Sequence, residues 1–194
     1  MTYSITKNGV PLDKSLYTID KKTKTFSSNE DGLVLDFINE FKWAFDTGYG
    51  CTFNTGPCCT FNTGYDCTFK TGSGCTFKTG SSCTFNTGSG CTFNTENYCT
   101  FNTGPCCTFN TGPCCTFNTG YDCTFKTGGD CVVVRRDVYE VIELKEGVKI
   151  KLNGYGIKGY EIIEDEKKKE EITAFNKEDV KKKIFELISK LTGE

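Results

Sequence analysis

Along the middle of the chain, apolar and polar positions alternate in a fixed eight-residue rhythm. From Cys51 to Asp130 the unit reads Cys-Thr-Phe-Asn/Lys-Thr-Gly followed by two variable residues. Slots one to four alternate Cys, Thr, Phe and Asn or Lys. That is the period-two signature of a β-strand with Cys and Phe on one face and Thr with Asn/Lys on the other. Lys70, Lys78 and Lys126 occupy slot four. Unpaired lysines are not buried, so slot four faces water and the Cys and Phe face a core. Slots five to eight, as in Thr55-Gly56-Pro57-Cys58 and Thr71-Gly72-Ser73-Gly74, carry turn chemistry. The slot-six glycine is expected to supply a positive φ. Glu96 alone replaces that glycine, in Thr95-Glu96-Asn97-Tyr98, and predicts a distorted corner.

A short strand and a short turn repeated in tandem cannot bury their own apolar face and must stack on their neighbours, giving a parallel β-solenoid. One octad per coil encloses too little room for a phenylalanine, so two octads, about 16 residues, are expected per coil. The regular octads then make about five coils, on the order of 24 Å at a strand spacing of about 4.8 Å. Residues 51–72 and 107–128 are identical at an offset of 56 residues, an odd number of octads. If that identity arose by duplication, the two sides of a coil are equivalent. The phase extends upstream through Trp43-Ala44-Phe45-Asp46-Thr47-Gly48, and more loosely to Leu35 and Phe37. Downstream, Cys131-Val132-Val133-Val134 keeps the strand and loses the turn.

The flanks read as further β-structure. Strands are expected at 3–6, 17–20, 25–27 and 33–37, then at 138–144, 148–152 and 160–163. A charged linker follows at 165–171. From 177 to 191, Val180, Ile184, Leu187, Ile188 and Leu191 recur at helical spacing, with Asn176 as N-cap and Gly193 as stop. The expected organisation is an N-terminal β cap (1–42), an octapeptide solenoid (43–134), a C-terminal β cap with charged linker (135–171) and an amphipathic α-helix (172–194). The helix is expected to cover the end of the solenoid, with docking of another protein as the alternative. An uncapped end would add strands from another chain, so end-to-end stacking into fibres is a second expectation.

Of the 48 charged residues only seven lie in 51–130, and the net charge is −2. No excess of basic residues points to nucleic acid or an anionic membrane. The chain has no histidine, which excludes imidazole-based acid/base catalysis, Ser-His and Cys-His dyads and His-ligated zinc. Residues 1–12 are polar and no apolar run approaches the roughly 18 residues of a membrane span, so a cytoplasmic, or virion, location with free thiols is expected. A secreted, disulfide-stapled chain is the competing reading. All 14 cysteines fall in the array, and Cys58, Cys106 and Cys114 occupy slot eight. Cysteine at this spacing is best explained as core filling. The pairs Cys58-Cys59, Cys106-Cys107 and Cys114-Cys115 are the candidate ligands for a soft metal; no resident cofactor is expected.

Outward Thr ranks flanked by Asn suggest ice binding, although lysines interrupt them. Gly154-Tyr155-Gly156-Ile157-Lys158-Gly159 matches a dinucleotide-binding pattern. A strand pattern follows it where a helix is required, so a turn is expected. Arg135-Arg136, balanced by nearby acids, reads as solvated surface. DNA mimicry needs a strongly acidic face, which the array lacks.

On its Cys-Thr-Phe-x-Thr-Gly units, from Trp43 to Val134, the array resembles the short-repeat solenoids of pentapeptide-repeat proteins and of cysteine- and threonine-rich insect antifreeze proteins. The resemblance implies architecture, since the unit here is eight residues. The octads are also loosely similar to repeats of uncharacterised phage and giant-virus proteins, which implies no function. The expected function is a non-enzymatic structural or interaction protein, a rigid solenoid that stacks end to end in a filament or virion. A ligand-binding solenoid for ice or a soft metal is the alternative.

Overall fold

Each octad contributes one strand and one corner, and the strands begin at slot two. Thr52–Thr55, Thr60–Thr63, Thr76–Thr79, Thr108–Thr111 and Thr116–Thr119 span slots two to five. The structure, a computed structural model, describes residues 3–163 and Lys182. Residues up to Glu161 form one compact unit, and those from Ile162 belong to a second. The linker expected at 165–171 lies outside the described residues, as does the helix expected at 177–191 apart from Lys182.

Successive octads alternate between two ten-stranded sheets. Thr52 pairs with Thr68 and Thr60 with Thr76, so the parallel register advances 16 residues per coil. Five regular strands per sheet agree with the five expected coils. Divergent flanks supply more: Thr25–Ser28 and Ala44–Thr47 join one sheet, Leu33–Phe37 and Cys131–Arg135 the other. Seven parallel strands per sheet therefore make seven coils.

Antiparallel strands close both ends. Ser4–Lys7 lies on Leu33–Phe37, and Val10–Pro11 folds back on it through Asn8 and Gly9 at φ 51° and 77°. An Asn-Gly pair with both φ positive suits the tightest hairpin turn. Thr18–Asp20 lies on Thr25–Ser28. At the other end Glu140–Leu144 covers Cys131–Arg135, and Ile150–Leu152 covers Thr124–Thr127.

The inward faces meet as two phenylalanine columns. Within a column rings stack in parallel, as Phe61 on Phe77 at 4.9 Å and 4°. Between columns they meet edge to face, as Phe77 and Phe85 at 5.2 Å and 75°. Both are preferred aromatic geometries, and each buried ring contributes about 1.5–3 kcal/mol of apolar burial. The identical segments 51–72 and 107–128 sit on opposite sheets, and Phe53 and Phe109 stack on their successors alike, at 4.9 and 4.7 Å. The two sides of the coil are equivalent.

The corners depart from expectation in two respects. Positive φ falls on slot eight, from Cys58 (59°) and Asp66 (56°) to Asp130 (55°), not on the slot-six glycine. Slot six is glycine for another reason: a Cβ on Gly72 would stand 2.8 Å from Pro57 N, and one on Gly128 2.5 Å from Pro113 N. The Glu96 corner keeps the common geometry, with Tyr98 at φ 58° and Gly112 N donating to Glu96 O at 3.2 Å.

Candidate functional site

Slot one places a thiol at each inward corner. Cys67 Sγ donates to Tyr65 O at 3.4 Å, and Cys91 Sγ to Gly88 O at 3.6 Å. Sulfur also accepts: the buried amides of Cys59 and Cys107 donate to Cys75 and Cys123 Sγ, each at 3.4 Å. Valine would fill the space but leave the Cys59 and Cys107 amides without an acceptor, which is why the slot is cysteine. All fourteen thiols are free. Contacts with the thiols of adjacent coils, and then burial, push Cys75, Cys83 and Cys107 well above the ordinary thiol range.

The metal-candidate pairs are split by the corner. Cys59, Cys107 and Cys115 face the core, whereas Cys58 and Cys106 are exposed and Cys114 is half-buried. Cys58 and Cys106 share one corner three coils apart, about 14 Å at the usual strand spacing, and Cys114 lies on the other corner. Among the described residues no group of three or more Cys, Asp or Glu side chains converges as a metal site.

On the outer faces, slot-two threonines form two ranks, and slot-four amides form ladders. Asn54 Nδ2 donates to Asp36 Oδ1 at 3.1 Å, Asn62 to Asp46 at 2.9 Å, Asn102 to Asn86 at 3.5 Å and Asn110 to Asn94 at 3.3 Å. Each of these four amides donates toward the N-terminal end, where the aspartates act purely as acceptors. At the opposite end Arg136, purely a donor, gives Nη1 to Asn102 Oδ1 at 3.0 Å and Nη2 to Thr103 O.

Arg135 corrects the expectation of solvated surface. Its side chain is fully buried and Nη2 lies 2.7 Å from Asp137 Oδ2. Nη1 donates to Ile157 O at 2.7 Å and Gly159 O at 3.3 Å, and Nη2 to Gly154 O at 3.3 Å. The Gly154–Gly159 motif is thus a turn, closed by Ile157 N to Gly154 O at 3.1 Å and wrapped around a guanidinium. Asp137 accepts from Gly156 N and Glu140 from Gly159 N. Burial alone would raise the Asp137 carboxyl, but the bonds from Arg135 and Gly156 hold it below the usual carboxylate range.

A surface depression of about 460 Å³ lies on the corner that follows Thr60–Thr63 and Thr76–Thr79. Its lining includes Asn62, Thr63, Tyr65, Asp66, Lys78 and Glu96. Tyr65 is half exposed and stacks on Tyr49 at 4.8 Å and 2°. Glu96 Oε2 accepts from Ser81 Oγ at 2.9 Å. The only prior signal for this place was the break in the slot-six glycines at Glu96. Among the described residues no helix is long and apolar enough to cross a membrane. No family model, curated protein or solved structure matches the chain, and the likeness of its octads to phage and giant-virus repeats gains no relative from them.

Proposed function

We propose that the protein is a non-enzymatic structural or interaction element, a rigid rod that self-associates through its C-terminal end. The observation that supports this most is the unbroken parallel register, with phenylalanine and cysteine filling the interior. The two ends differ. Val10–Pro11 is a two-residue edge strand that includes an imide nitrogen with no hydrogen to donate, and Thr18–Asp20 is only three residues long. Glu140–Leu144 is a five-residue outer strand with Val141 67% exposed. Strand addition is therefore favoured at that end alone, and end-to-end assembly stops at pairs.

Light scattering from micromolar to millimolar concentration, with negative-stain microscopy, tests this. Short rods in monomer–dimer exchange are expected. Long filaments would overturn the asymmetry of the ends, and a strict monomer at millimolar concentration would overturn self-association. The slot-two ranks Thr52–Thr68–Thr84–Thr100–Thr116 and Thr60–Thr76–Thr92–Thr108–Thr124, which the slot-four lysines Lys70, Lys78 and Lys126 flank without entering, favour ice binding as a second reading. Thermal hysteresis equal to that of a control protein would remove it.

A further inference from the structure

Arg136 shows what one corner of the solenoid holds. It stands in slot six, two coils beyond Gly104, and reaches back so that its guanidinium meets Asn102 Oδ1 and Thr103 O. Two features make these atoms available. Asn102 spends its amide on Asn86, which leaves Oδ1 to accept. At most corners the slot-six amide bonds to the slot-six carbonyl one coil back, as Gly104 N to Gly88 O at 3.2 Å, which leaves the slot-five carbonyl there to other donors; in the last coils Gly128 N and Arg136 N turn to Thr111 O and Thr119 O instead.

The opposite corner repeats these atoms without the arginine. Asn62 spends its amide on Asp46 at 2.9 Å, and Gly80 N goes to Gly64 O at 3.2 Å, not to Thr63 O. Two coils beyond Gly64, in the place Arg136 holds relative to Gly104, stands Glu96, the one residue that replaces a slot-six glycine within the regular array. Its carboxylate is held by Ser81, and Tyr65 offers an exposed ring in the same depression. The charges around it are Asp66 and Glu96 against Lys78.

We propose that this depression is a guanidinium site, occupied by an arginine side chain of a partner protein. The guanidinium donates to Asn62 Oδ1 and Thr63 O as Arg136 does to Asn102 and Thr103, pairs with Glu96 and lies against Tyr65. A planar fork of donors matches a carboxylate and stacks on an aromatic ring, which an ammonium does less well. The inference rests on the reading as an interaction element only in assigning the arginine to a protein.

The test is a titration of the full chain, followed by amide NMR, with N-acetyl-arginine methylamide and its lysine counterpart. Shifts are expected at Gly64, Tyr65, Gly80 and Glu96, with arginine at least about threefold tighter than lysine. Glu96→Gly restores the octad consensus and so should fold; it should weaken binding about fivefold, the scale of one exposed charge pair. Lys78→Asn, also consensus, should tighten binding about threefold. Arg136→Gly should open a second site, read as new shifts at Gly88 and Gly104. Equal affinity for lysine, or unchanged affinity in Glu96→Gly, would overturn the site. Tighter binding of free L-arginine than of the capped probe would overturn the assignment to a protein side chain. None of these readouts depends on assembly of the rod.

Discussion

At the scale of single residues, the repeat contains two kinds of glycine position with opposite demands. Slot six is glycine at most corners because the backbone of the preceding coil's corner lies against it. Slot eight needs a left-handed φ and has open space. Gly72→Ala forces a Cβ to 2.8 Å from Pro57 N and should cost about 2–3 kcal/mol. Gly90→Ala, at φ +66° with nothing within 4 Å, should cost only the left-handed penalty of about 1 kcal/mol. Urea midpoints of the two variants compare them directly. Cys75, Cys83 and Cys107 give a pH prediction. Their folded-state thiols, in contact with neighbouring thiols and buried, titrate above the unfolded value near pH 8.5. At these three positions the folded state therefore holds more protons than the unfolded state above that pH, and their contribution to stability falls as pH rises. Urea midpoints that stay level from pH 8 to pH 10 would contradict this. The inward direction of Cys and Phe was readable because lysine in slot four excludes the alternative. Which corner residue takes positive φ was not, because Cys58, Ser82 and Tyr98 are side chains that elsewhere seldom adopt it and they mask the signal of Asp66, Gly74 and Gly90 in the same slot.

At the scale of elements, the regular strands were legible and the caps were legible only as strands. Alternation revealed 33–37 and Glu140–Leu144, but not that residues 25–37 already form a parallel coil. Phe26 and Phe37 lack the cysteines and glycines that mark the octads. The C-terminal lock was illegible for a different reason. Arg135-Arg136 followed by acids looks like a solvated surface, and only the fold shows that one arginine turns inward while its neighbour lies along a corner. Burying a guanidinium is tolerated here because carbonyls of the Gly154–Gly159 turn and the Asp137 and Glu140 carboxylates surround it. Arg135→Ala leaves Asp137 and those carbonyls without their donor and should cost about 3–5 kcal/mol in the cap. Hydrogen exchange should show lost protection at Cys131–Arg135 and Glu140–Leu144, with the amides of Thr84–Asn86 and Thr92–Asn94 still slow. Uniform loss along the rod would mean that the caps and coils unfold as one unit.

At the scale of the whole molecule, each coil in the regular array packs on its neighbours, with Arg136 reaching one coil further, so stability is close to a sum of coil terms and interface terms. Length can then change without loss of fold, provided the register of the two phenylalanine columns survives. Removing residues 75–90 deletes one full coil and joins Cys59–Gly74 to Cys91 in unchanged phase. Removing residues 75–82 is the sharper case, because every later strand moves to the opposite sheet. The identical segments 51–72 and 107–128 already occupy opposite sheets with the same ring stacking, so either side accepts an octad. The cap moves with its own last coils, since Arg135, Asp137 and the turn they hold are all downstream. The 16-residue and 8-residue deletions should therefore both fold, with thermal midpoints close to each other and slightly below the parent. A deletion of residues 75–86, twelve in all, joins Thr71–Gly74 to Thr87–Gly90, so that two corners follow each other with no strand between them, and should lower the thermal midpoint more than either whole-octad deletion. If circular dichroism shows the 8-residue deletion unfolded and the 16-residue deletion folded, the two sides are specialised and the equivalence seen in the stacking does not extend to stability.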